Sequence, residues 1–150
     1  MDRASEREFV ESILRRNRYL VLATAGSAGP WIAPLEYMID GDLNFYVLSP
    51  DDSRHIQDLD TQPNVAVAVF ESAQGEYSPE ASFTLNGVQM EAVARRVEPA
   101  DYTAEIVAAI DALKPPMPPY SVFKIEPRRF YLPKIQDGVN VRAEVVIGRD

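Results

Sequence analysis

Apolar residues recur along the chain first with the period of a helix and then with the period of strands. Residues 5–16 carry Phe9, Val10, Ile13 and Leu14 on one stripe behind Ser5 and Glu8, an S-x-x-E capping box, which predicts an amphipathic helix. The period then shortens. Residues 19–25 form a continuous run, Tyr-Leu-Val-Leu-Ala-Thr-Ala, too apolar for a half-solvated strand. Gly26-Ser-Ala-Gly29 turns the chain into a second strand over 30–39, and Asp40-Gly41 predicts a hairpin turn leading directly into a third over 43–48. These three strands are expected to form an antiparallel meander. Pro30 and Pro34 cannot donate to a ladder, which places part of the second strand at an edge, at a bulge or against a ligand.

A second helix is predicted from Ser53 to about Thr61, ending before Pro63. In the strand over 65–70 that follows, Val65, Val67 and Val69 share one face and Ala66 and Ala68 the other. Small residues on one side imply close packing of a helix or strand there, or of a flat ligand. Residues 71–81 are polar and breaker-rich, hence a loop. The run over 82–97 reads as one bent strand with a bulge at Asn86-Gly87. Pro99 opens a third helix with Tyr102, Ile106, Val107, Ile110 and Leu113 on its apolar stripe. Four prolines among residues 114–119 end it in a stiff extended connection. Strands over 120–125, 128–135 and 141–147 complete the chain, the last after an Asp137-Gly138 turn. Strands joined mainly as meanders exclude a Rossmann-type parallel sheet and predict a mainly β domain, an antiparallel barrel with peripheral helices. At 150 residues one domain, 1–150, accounts for everything.

Composition narrows the chemistry. Without cysteine there are no disulfides, thiolate nucleophiles or cysteine-ligated metal centres, and one histidine, His55, excludes a multi-histidine metal cluster within the chain. A formal charge of −8 argues against nucleic acid as a partner. No apolar run is long enough to cross a bilayer, and the N-terminus has no apolar leader core, so no membrane association and a cytoplasmic location are expected. No G-x-S-x-G, H-E-x-x-H, Walker A or G-x-G-x-x-G motif is present. Reactivity, if any, would come from a cofactor.

The stretch 43–59 concentrates what remains. It reads as an apolar strand, a polar turn and a helix entry carrying Ser53, Arg54 and His55. A helix N-terminus offers unpaired N–H groups and partial positive charge to an anion, and a hydroxyl and a guanidinium beside it add charge-assisted hydrogen bonds. The same three residues also fit an ordinary helix entry, with Ser53 as N-cap and Arg54 exposed.

The order of residues 22–71, with a strand, Ser53-Arg54-His55, a helix and Pro63-Asn-Val65, resembles the pyridoxamine 5'-phosphate oxidase-like, FMN-binding split-barrel superfamily. Residues 86–97 and 122–132 are similar to its later strands, and the likeness covers most of 18–147. It implies an antiparallel split β-barrel that forms a homodimer with FMN at the subunit interface, acting as an oxidoreductase on an unidentified small molecule. By position, Ser53 and Arg54 would hold the FMN phosphate, and His55 falls where the superfamily often has a second basic residue. Ile32, Ala33 and Pro34 would line the flavin ring through the backbone, with Tyr46, Val47, Leu48 and Ser49 continuing that wall. Asn86, Gly87 and Gln89 sit where groups are presented to the flavin, and Arg142 corresponds loosely to a C-terminal arginine of the oxidases.

Departures matter too. The oxidase's Arg-Leu-His-Asp-Arg segment is here Asn140-Val-Arg-Ala-Glu-Val145, one arginine in place of several cations, so pyridoxine phosphate oxidation is not expected. Ala92 replaces a usual glycine, which would narrow the space near the ring. A module that holds flavin, deazaflavin or haem without turnover is the alternative, and a structural dimer without cofactor is a third. Trp31, Tyr37 and Tyr131 read as packing aromatics, Gln89 also as a cross-strand pair, and Arg95 and Arg96 as a solvated face with Glu91 or Glu98 as partners.

Overall fold

The structure, a computed structural model, describes residues 2–71 and 86–148. Eight strands form one antiparallel sheet: β1 (Tyr19–Gly26), β2 (Gly29–Glu36), β3 (Met38–Ile39), β4 (Phe45–Pro50), β5 (Asn64–Phe70), β6 (Gly87–Val97), β7 (Tyr120–Gln136) and β8 (Val139–Val145). Their order is β2-β1-β5-β6-β7-β4-β3, with β8 also on β7. The two ends of that order, β2 and β3, are consecutive in the chain with only Tyr37 between them, so the sheet curls into a barrel. Tyr37 marks the seam. Its N–H donates to Arg18 O, its hydroxyl donates to Leu14 O at 2.7 Å, and its ring meets Phe45 edge-on with centroids 5.0 Å apart.

The strand expected over 30–39 is thus broken, and the prolines sit on β2, the terminal strand, where a missing N–H costs no ladder bond. The expected Asp40-Gly41 turn is a longer loop over 40–44, organised by Asp40. Its carboxylate accepts from the N–H groups of Asp42 and Asn44, from Asn44 Nδ2 and from the Tyr46 hydroxyl. Burial opposes its ionisation, but these donors outweigh burial and hold the carboxyl below its ordinary range. The two strands expected over 120–135 are one, β7, which pairs with β4 along Tyr120–Ile125 and with β8 along Phe130–Gln136 on the same side. The gap between those partners is the split in the barrel. A register shift lies there, between Glu91 and Ala92 against β7, while the expected bulge at Asn86-Gly87 borders residues outside the described ones. The expected loop 71–81 and the start of the strand at 82 fall mostly outside the described residues. Asp137 and Gly138, with φ of 51° and 76°, make the two-residue β7–β8 turn.

Helix α1 (Arg3–Arg16) starts earlier than the capping box implied, because Asp2 is the N-cap and accepts from Ser5 N at 2.8 Å. Its Val10, Ile13 and Leu14 fill the barrel core beside Leu22, Val47, Val67 and Ile125. Pro99–Asp101 is a separate 3₁₀ turn, and α3 (Ala104–Leu113) begins after Thr103, which caps Ile106 N. Helix α3 packs outside the barrel, Ile106 and Ala109 against Tyr46 and Val122. Arg96 pairs with Asp51 and Asp60 instead of the expected Glu91 or Glu98. Among the described residues, no helix is long and apolar enough to cross a membrane.

Helix α2 (Arg54–Thr61) is held by two faces. Ile56 and Leu59 enter the core, and His55, 8% exposed, turns inward so that Nε2 lies 2.8 Å from Ser49 Oγ. On the other face Asp58 accepts from the Thr24 hydroxyl at 2.8 Å and lies against Gly26, where a Cβ would stand 1.9 Å from Asp58 Oδ1. Gly26→Ala is therefore expected to displace Asp58 and cost about 1–3 kcal/mol in denaturant unfolding. Gly41→Ala, with open space around it, should change stability by less than about 0.5 kcal/mol.

Burial lowers the pKa of His55 against a smaller opposing pull from Asp58. The unfolded chain therefore takes up a proton, below about pH 6.5, that the folded chain resists, so stability contributed by neutral His55 is complete above that pH and lost as pH falls through the depressed value. Thermal melts between pH 7.5 and 5 should show this loss, with a slope of at most about 1.4 kcal/mol per pH unit, and His55→Gln should flatten it.

Candidate functional site

The entry to α2 faces the β1–β2 hairpin. Ser53 has extended backbone angles and makes no side-chain cap bond, so its hydroxyl is left for another partner at the end of the helix where N–H groups lack intrahelical acceptors. Arg54 follows. Its guanidinium carbon lies 4.4 Å from the centre of the Trp31 ring, and Nη2 donates to Ala28 O at 3.4 Å. Arg54 Nε is buried and has no hydrogen-bond partner among the described residues. An unsatisfied buried donor on a cation is costly unless something accepts from it. A free hydroxyl, an incompletely paired guanidinium and a helix N-terminus together fit an anionic group such as a phosphate monoester.

His55 does not join them. Instead of a second basic residue at the helix entry, it is a buried, hydrogen-bonded imidazole whose lowered pKa keeps it neutral near pH 7. Ser49 is turned to the same bond and is buried. Both positions are therefore committed to holding α2 on the barrel.

On β2, Ala33 points into the protein while Ile32 and Pro34 are exposed, and Trp31 stands opposite Thr24 in the ladder. The side chains of β4 are taken up by packing: Tyr46 against α3 with its hydroxyl on Asp40, Val47 in the core and Leu48 beside Tyr46. Any part these three play in a wall beside β2 is left to their backbone.

A second group gathers on β6 and β8. Arg142 Nε donates to Gln89 Oε1 at 2.6 Å across β7, beside an apolar groove of 270 Å³ whose walls include Ala68, Phe70, Gly87 and Pro133. Gly87 lets β6 lie close against β5 here, since a Cβ would meet Phe70 Cβ at 3.0 Å and Val69 O at 3.2 Å. Asn86 precedes β6, its carbonyl accepting from the N–H of Glu71 at 2.9 Å, and Glu71 also binds Arg16. Ala92 faces the core and leaves the outer face of the sheet untouched. In the sheet β1 and β5 lie between β2 and Gln89 on β6, and β7 also lies between β2 and Arg142 on β8, so the strand beside Arg54 is not a neighbour of those that carry Gln89 and Arg142. Between them the outer face carries Ala66, exposed, and Ala68, half-buried; neither is under a helix of the described chain.

Two features escaped the residue patterns. Trp31 is the platform of Arg54 and not simply a packing aromatic. Thr24–Asp58 is the bolt that places Arg54, and its only sequence signal is that Arg54 and Asp58 are four apart and hence share a helix face.

Solved structures share this fold. A FAD-binding protein from Mesorhizobium loti superposes with a TM-score of 0.63 at 20% identity, over 80% of this chain and 86% of the other. The haem storage protein HutZ from Vibrio cholerae gives 0.63 at 19%, over 85% and 92%. A haem-binding protein from Mycobacterium smegmatis gives 0.67 at 23%, over 87% of this chain but 55% of the longer partner. Identities this low speak for the fold alone. Among curated proteins, none matches the chain. Residues 7–133 match the pyridoxamine 5'-phosphate oxidase family, a span that takes in the helix entry at Ser53 and most of β7. The chain belongs to the pyridoxamine 5'-phosphate oxidase family, with the split-barrel fold.

Proposed function

We propose that this protein is an FMN-binding oxidoreductase that acts on a small molecule as a homodimer. The observation that carries the reading is the α2 entry, where Arg54 has a buried Nε without an acceptor among the described residues, beside the unused hydroxyl of Ser53. Ser53, Arg54 and the first-turn N–H groups would hold the cofactor phosphate. The ring would lie along β2, whose outer edge has no neighbouring strand among the described residues and therefore offers backbone groups to flavin heteroatoms near Ile32, Ala33 and Pro34. When bound, FMN supplies hydride or electron transfer; the chain supplies position and charge.

Two features support a second copy of this chain as partner. The Arg54 and Gln89–Arg142 groups sit on elements that are not neighbours in the sheet, and the outer face of β5 between them carries Ala66 and Ala68, with Phe70 half exposed beside them. A dimer that stacks those faces would let Gln89 and Arg142 of one copy approach the cofactor held by the other.

Flavin is favoured over haem by His55. Haem iron takes an axial ligand, most often histidine, and the one imidazole of this chain is buried on Ser49. Family membership does not extend the reading to pyridoxine phosphate, since Arg142 stands alone where the oxidases carry several cations, and its Nε is on Gln89.

Excess FMN is expected to raise the melting temperature, the gain reaching about 2.7 kcal/mol at a hundredfold excess over Kd, with flavin bands retained after desalting. A colourless protein with an unchanged melt would sink the flavin reading. Anaerobic bleaching of those bands by NAD(P)H separates an oxidoreductase from a passive holder.

Arg54→Ala should weaken FMN by about 10- to 100-fold while leaving riboflavin, which lacks the phosphate, little changed. Titration calorimetry with both ligands checks this, and equal losses would remove the phosphate from Arg54.

A further inference from the structure

We propose that Trp31 is a positioning residue for the anion grip: the indole face holds the Arg54 guanidinium by its flat side and leaves the in-plane N–H donors to the ligand. This rests on the phosphate seat proposed above and adds what orients its cation.

A cation in the first turn of a helix opposes the helix dipole, so Arg54 is not kept there by α2 itself. Its long side chain has many rotamers, and little else restrains it. Among the described residues, its only hydrogen bond is the 3.4 Å contact to Ala28 O, and it has no ion pair. What remains is Trp31, with its ring centre 4.4 Å from the guanidinium carbon. That contact uses the face of the indole, and a guanidinium laid flat on it would keep its edge, where five N–H donors lie in one plane, for phosphate. The two interactions are therefore compatible, and the first prepares the second.

The hairpin that carries Trp31 also fixes the helix. Trp31 pairs across the ladder with Thr24, Thr24 donates to Asp58, and Asp58 is one turn along α2 from Arg54. One rigid β1–β2 unit thus sets both the helix and the direction of its cation. Trp31 is 41% exposed, so its ring is open at the surface beside the helix entry.

Trp31 is the only tryptophan, so its emission reports the contact directly. In the ligand-free protein, Arg54→Met should change the intensity and position of that emission, and an unchanged spectrum would overturn the stacking. Trp31→Leu should weaken FMN about 3- to 30-fold with riboflavin changed by less than about twofold, and Trp31→Phe, which keeps a π-face, should recover most of the loss. Equal losses of FMN and riboflavin in Trp31→Leu would make Trp31 a ring contact or a structural residue and overturn the proposal, as would an unchanged FMN-to-riboflavin ratio. The two levels separate through Arg54→Ala. If that variant leaves the ratio unchanged, the phosphate seat falls and this proposal with it. If it collapses the ratio and Trp31→Leu does not, the positioning role alone falls.

Discussion

The hydrogen bond from Thr24 to Asp58 is the constraint on which the rest of the site depends. A carboxylate 7% exposed needs a donor, and this one finds it on a barrel strand, not on its own helix. The bond sets how close α2 lies to the β1–β2 hairpin, and Gly26 is the concession that makes the distance possible. Everything proposed for the helix entry follows from that spacing, since Arg54 lies one turn earlier on the same face.

The opposite face of α2 explains why the helix does not rock about this bolt. Ile56 and Leu59 are buried in the barrel core, and the His55–Ser49 bond closes the polar part of the contact. The sequence places three polar residues in a row at the helix entry, and the fold divides them: Ser53 and Arg54 look outward, His55 inward. In a protein with a net charge of −8, Arg54 makes no ion pair among the described residues, while Arg16, Arg18, Arg96 and Arg129 lie on nearby carboxylates.

The local patterns carried most of the fold. Alternation at Val65, Val67 and Val69, the apolar stripe of α1 and the Asp137-Gly138 turn all act through neighbours a few residues away, and these are where pattern and structure agree. The differences arise where a distant partner decides. Residues 30–39 look like one strand, but closing the barrel requires Tyr37 to leave one ladder and the next two residues to enter another. Residues 126–127 look like a strand break, but β6 pairs across the gap and keeps β7 continuous. The site was legible in the same uneven way. Ser53 and Arg54 stand out because helix entries have a sequence signature, while Trp31 does not, because nothing in a lone aromatic on a strand says which cation will lie over it. The burial of His55 is likewise a property of the core it faces.

The prolines of β2 have a consequence for how the protein behaves in a crowded solution. A terminal strand is a template on which strands of other molecules can grow, and β2 is long enough to serve as one. Pro30 and Pro34 remove two of the N–H groups an incoming strand would need, four residues apart, so no extended peptide can pair along the whole edge. The protein thus leaves an edge of its sheet open without inviting fibril growth from it.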